Sequence, residues 1–157
     1  MSAMKVVLLV DGLDTAQLLD SLAALLPVQE AELVLAYVRG PAPRAALDMV
    51  RRGPGRHPLP PPRERELSAA EVERGERALS EAAELARSLA SRVETVQLSG
   101  DAGHVICELA AHSRADVVAV RAGGRDQPPA GPRSLGPAAR FITDHCPCPV
   151  LLLRQSR

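Results

Sequence analysis

The chain has 157 residues, 46% of them hydrophobic, with basic and acidic side chains balanced at 19 each, which suits one domain with a full core. Zero net charge removes any global steering toward nucleic acid or anionic membrane, and Tyr37 and Phe141 as the only aromatics leave no platform for stacked bases. No apolar run approaches the ~20 residues that span a bilayer, no export segment is recognisable, and Cys107, Cys146 and Cys148 are an odd set, so we expect a soluble cytoplasmic chain with reduced thiols.

Lys5 to Val10 is a continuous apolar run rich in β-branched valine, the pattern of a strand buried on both faces of a parallel sheet. It ends at Asp11-Gly12. Leu18, Leu19, Leu22, Leu25 and Leu26 then recur at helical spacing; Asp14 or Thr15 can cap this helix and Pro27 ends it. Glu32 to Val38 is a second strand. From about residue 40 to 66 the chain carries half of its fourteen prolines and six of the seven arginines that lie between Arg39 and Arg65, and it reads as a flexible insertion. Ser68 and Glu71 have the spacing of a capping box, which predicts a second long helix with Val72, Leu79, Ala83, Ala86 and Leu89 on one face.

Val93 to Leu98 alternates as a strand, and Gly100-Asp101 leads into a helix marked by Val105, Ile106, Leu109 and Ala110 and reaching Ser113. Asp116 to Val120 is a fourth buried strand, Ala122 to Leu135 a loop rich in glycine and proline, Ala138 to Asp144 a short helix, and Pro149 to Leu153 the last strand. Strands alternating with helices demand right-handed crossovers, giving a single three-layer α/β/α domain with a doubly wound, five-stranded parallel sheet. With the common order 3-2-1-4-5, the winding reverses between the first and fourth strands. Ligands in such sheets bind beyond the strands' carboxyl ends at that reversal, so Asp11-Gly12 and the loop beginning at Arg121 should face each other across a crevice.

Four stretches together resemble the universal stress protein family. They are Val10-Asp11-Gly12, Gly100-Asp101, the run from Ala115 to Val120, and Cys146-Pro-Cys-Pro-Val-Leu-Leu-Leu at the end. The resemblance implies an adenine-nucleotide alpha-hydrolase-like fold, a non-enzymatic regulatory role in stress response, and, in the members that bind ATP, a pattern of Gly, two residues, Gly, nine residues, then Gly and Ser or Thr. In this sequence Arg121 stands at the first glycine, Gly124 keeps the second, and Gly136 keeps the third after eleven residues, with Pro137 replacing the hydroxyl. Arg121 brings bulk where glycine lets backbone amides approach a phosphate, and Pro137 removes an amide hydrogen. Amides at Gly136, Ala138 and Ala139 remain at the helix start.

By resemblance Asp11 would lie near adenine and ribose, with Val38 and Val120 as apolar walls. The cofactor-binding candidates are therefore Asp11, Gly12, Val38, Val120, Arg121, Gly124, Gly136 and Ala138, for ATP or another adenine nucleotide with magnesium, in a site where binding is weakened or lost. The alternative is a nucleotide sensor in which Arg121 or Arg125 pairs directly with phosphate. The family resemblance also implies pairing of two copies through the last strand, Val150 to Leu153, a short apolar edge. Nucleic-acid binding through the arginine-rich insertion lacks a groove-reading motif. His145-Cys146-Pro147-Cys148 could hold a soft metal or do redox chemistry, but reads more simply as a helix-to-strand turn. No residue set looks catalytic, and no metal ligand set is assigned.

Overall fold

The computed structural model describes residues 2–40, 61–123 and 135–154, and of residues 61–67 the backbone alone. Elements follow in the order β1 (Lys5–Leu9), α1 (Thr15–Leu25), a 3-10 turn (Val28–Glu30), β2 (Glu32–Arg39), α2 (Pro61–Arg87), β3 (Arg92–Ser99), α3 (Ala102–Ser113), β4 (Val117–Arg121), α4 (Pro137–His145) and β5 (Val150–Leu153). The five strands form one parallel sheet in the order β3-β2-β1-β4-β5, as the alternation of elements implies. Lys5 pairs with Glu32 and Val6 with Val117, so β1 lies between two neighbours and must be apolar on both faces.

Alternation along the strands divides the core. Val6, Leu8, Leu33 and Leu35 face α1 and α2, meeting Leu18, Leu22, Ala82 and Ala86. Val7, Val34, Val118 and Val120 face α3 and α4, meeting Ile106, Ala110 and Ile142. A fully buried leucine such as Leu8 stabilises the fold by about 2–3 kcal/mol relative to an exposed one.

Two expected helix starts need correction. Asp14 is the N-cap of α1 by position, but it is in the left-handed region (φ 39) and its side chain makes no capping hydrogen bond, and Thr15 is the first helical residue. Helix α2 begins at Pro61, so Ser68 lies inside it and the Ser68–Glu71 spacing does not mark its start. The physical reason is that proline is tolerated in a first helical turn, where its missing N–H has no partner to lose, while the Arg and Glu that follow are good helix formers. Residues 61–66 of the expected insertion are therefore helical, and the rest of it, 41–60, lies outside the described residues.

The start of α3 is capped as its sequence suggests. Asp101 Oδ1 accepts the His104 N–H at 3.1 Å and lies 2.8 Å from His104 Nδ1. The side-chain hydrogen bond to His104, reinforced by the backbone one, holds the Asp101 carboxyl below its ordinary pKa. A lowered folded-state pKa stabilises above the unfolded value and is lost as pH falls through the folded one. Asp101→Ala is expected to lower stability by about 1 kcal/mol at neutral pH. The two proteins' urea midpoints should converge in acid.

Candidate functional site

At the carboxyl ends of β1, β2 and β4 the chain turns away from the sheet and leaves a cavity of about 280 Å³. That is close to the lower end of the roughly 300–1,000 Å³ common for small-molecule sites. Leu9, Val10 and Asp11 bound it from β1, Tyr37 and Val38 from β2, Val120, Arg121 and Gly123 from β4, and Gly136 to Ala139 from the start of α4. β1 and β4 are the strands between which the winding reverses, so the cavity occupies the place that the topology predicts.

The β1 turn is built by Gly12, whose φ of +77 favours glycine, and by Asp11, whose Oδ1 accepts the Leu13 N–H at 3.0 Å. Across the crevice, Arg121 ends β4 and reaches back over the turn. Its Nε donates to Asp11 Oδ2 at 2.8 Å and its Nη2 to the Leu13 carbonyl at 2.6 Å. Its side chain is only 11% exposed, so this is a partly desolvated ion pair and not a surface contact screened by solvent. Breaking it would strand charge in a low-dielectric crevice.

The start of α4 is poorer in anion donors than the sequence implies. Pro137 takes the first helical position and has no N–H. Gly136 does not leave its amide free either, since its N–H donates to the Ala122 carbonyl at 2.8 Å. Its φ is −67, an ordinary value, so the glycine is not there to permit a left-handed turn. The expectation of three helix-start amides for an anion is corrected to those of Ala138 and Ala139.

Of the residues expected from sequence, Asp11, Val38, Val120, Arg121, Gly136 and Ala138 come together around this one cavity. Gly12 shapes the turn beside it but is not in its wall, and Gly124 and Arg125 lie outside the described residues. Sequence reasoning missed Tyr37 and Glu71 in the wall. Tyr37 faces the α1 and α2 side while its neighbour Val38 faces the other, and both reach the cavity because it sits at the strand's end. Glu71 arrives only because α2 crosses above β2, which no local pattern announces.

His104, His112 and His145 place their Nδ1 atoms at Asp101 and at the Glu108 and Phe141 carbonyls, and none of the three lines the cavity. Among the described residues, no group of three or more His, Cys, Asp or Glu could hold a metal ion. No helix among them is long and apolar enough to cross a membrane.

A sequence model of the universal stress protein family matches residues 3–154. No curated protein matches significantly. Among solved structures, the universal stress protein UspA from Lactobacillus plantarum superposes with a TM-score of 0.74 at 22% identity, covering 98% of this chain and 99% of its own. A universal stress protein family protein from Arabidopsis thaliana with AMP bound gives a TM-score of 0.65 at 17% identity, covering 98% of this chain and 92% of that one. A universal stress protein from Archaeoglobus fulgidus in complex with dAMP gives 0.62 at 17%, with 98% and 100% coverage. Structural likeness at such identities establishes the fold, and the family match over nearly the whole sequence establishes more: this chain belongs to the universal stress protein family.

Proposed function

We infer that the chain is a non-enzymatic regulatory module of the stress response, acting as a cytoplasmic homodimer, in which adenine-nucleotide binding is weakened or lost. The observation that carries this reading is the Arg121–Asp11 ion pair. It ties together the two strand ends between which a nucleotide would lie, and it occupies the carboxylate that the family resemblance assigns to adenine and ribose. A ligand must break this pair or bind around it. The phosphate end supports the same reading, with Pro137 lacking an amide hydrogen and the Gly136 amide already used.

The neighbours that hold AMP and dAMP make adenine nucleotides the ligand class to test. Titration of the purified protein with AMP, ADP and ATP in magnesium, after mass spectrometry for carried-over ligand, is expected to give no tight binding. Micromolar, salt-sensitive ATP binding would overturn the reading in favour of a sensor in which Arg121 leaves Asp11 to grip phosphate.

Dimerisation is supported by β5, which lies at one edge of the sheet with Val150, Leu151 and Leu152 only half-buried. An apolar edge strand with unpaired backbone groups is normally covered, and pairing with the same strand of a second copy covers both. Sedimentation should give a dimer, and Leu151→Glu should give a monomer.

A further inference from the structure

All three cysteines of the chain converge at one place on the α3 and α4 side of the sheet. Cys107 comes from α3, Cys146 is the C-cap of α4, and Cys148 lies in the turn that enters β5. Each is free and half-buried, packed against the cluster that contains Ile106, Val118 and Ile142. The Sγ atoms of Cys146 and Cys148 are 3.7 Å apart, in contact but not bonded. We propose that Cys146 and Cys148 form a reversible dithiol–disulfide couple, a redox-modification site separate from the nucleotide cavity.

Two residues of separation keep the Cα atoms within about 7 Å, the outer limit of what a disulfide can bridge, and Pro147 between them limits the conformations the turn must search. The closed ring is small, and constrained disulfides of this kind are the readily reduced ones. The oxidant is a low-molecular-weight disulfide. One thiol of the pair ionises and attacks it, forming a mixed disulfide and expelling one small thiolate; the second thiol, deprotonated in turn, attacks the protein sulfur and expels the other. The protein pair loses two electrons and two protons, and the small disulfide gains them as two thiols.

Burial first, and the neighbouring Cys146 thiol after it, push both Cys107 and Cys148 up to about 11. Such thiols are slow nucleophiles at neutral pH, so neither Cys107 nor Cys148 is the first to attack the oxidant. The position of the pair is consequential, because Cys146 ends the helix whose other end walls the cavity, and Cys148 leads into the edge strand.

The test uses the full reduced chain with excess oxidised glutathione at about pH 8, where thiolate is more abundant than at neutrality. Blocking residual thiols and digesting with trypsin separates Cys107 from a peptide that carries both Cys146 and Cys148. The expected result is that the shared peptide becomes lighter by two hydrogen atoms, Cys107 stays blockable, and dithiothreitol reverses the change. Cys148→Ser should stop the reaction at a glutathione adduct on Cys146. A disulfide that joins Cys107 to the shared peptide, a persistent glutathione adduct on the unsubstituted chain, or three unchanged thiols would each overturn the proposal.

Discussion

Arg121→Gly is expected to raise the affinity for AMP and ATP by at least about tenfold over the unsubstituted chain, which corresponds to about 1.4 kcal/mol. In the present structure the guanidinium bridges Asp11 and the Leu13 carbonyl, so a nucleotide that uses Asp11 must first displace a charged, partly desolvated partner. Glycine at this position removes that competitor, opens the space beside Val120 and restores the residue that the family pattern places there. Leu13 then keeps its N–H bond to Asp11 Oδ1, so the β1 turn retains its local anchor.

Titration of Arg121→Gly and Arg121→Ala side by side separates two effects. Equal gains mean that the side chain alone is the obstacle, whereas a gain confined to glycine means that the backbone must also adopt a conformation closed to alanine. A fall in affinity for either variant would show that Arg121 serves the ligand and would sink the blocked-site reading. Adding Pro137→Ser should increase the gain for ATP more than for adenosine, since serine returns an amide and a hydroxyl to the helix start where only phosphate can use them.

The fold was legible because its signals are local and repeated. Lys5 to Val10 and Asp116 to Val120 are apolar runs that suit only doubly buried strands, and the alternation with helices leaves few topologies. The start of α2 was not legible, because a proline-rich segment reads as loop on composition while two prolines fit a first helical turn without conflict. Ser68 and Glu71 illustrate the ambiguity of a short motif, since the spacing of a capping box also occurs within a helix.

The site was legible in outline and not in its bonding. Topology brings Arg121 opposite Asp11, and the sequence shows a bulky cation where glycine is usual, but only the folded chain reveals that the two side chains satisfy each other. The Gly136 amide is likewise lost to a carbonyl fourteen residues earlier, a contact no motif encodes. Cys107 stands far from Cys146 in sequence, and the packing of α3 on α4 is what makes three separate thiols one cluster.

Gly75→Val should be the most damaging single substitution in α2. Gly75 is buried where the helix crosses β2 and β3, and a Cβ there would overlap the Gln97 side-chain amide and lie 2.8 Å from Tyr37 Cδ1. Gln97 is not free to swing away without cost, because its amide donates to the Val72 carbonyl at 3.0 Å. Tyr37 is 2% exposed and packed among core side chains, so it can yield only toward the cavity that it walls. Alanine at this position gains about 1 kcal/mol of helix propensity, but its Cβ already makes both clashes, so it is destabilising as well, by less than valine. Valine adds two methyl groups and a restricted χ1, and overpacking of this kind costs up to about 3 kcal/mol, a fall in Tm of roughly 6–12 °C for a domain of this length. Glu71 lies one turn earlier and Tyr37 walls the cavity, so lifting α2 off the sheet disturbs the site as well. Calorimetry that found Gly75→Val as stable as the parent would mean that α2 does not approach the sheet this closely, and that Glu71 does not belong to the cavity wall.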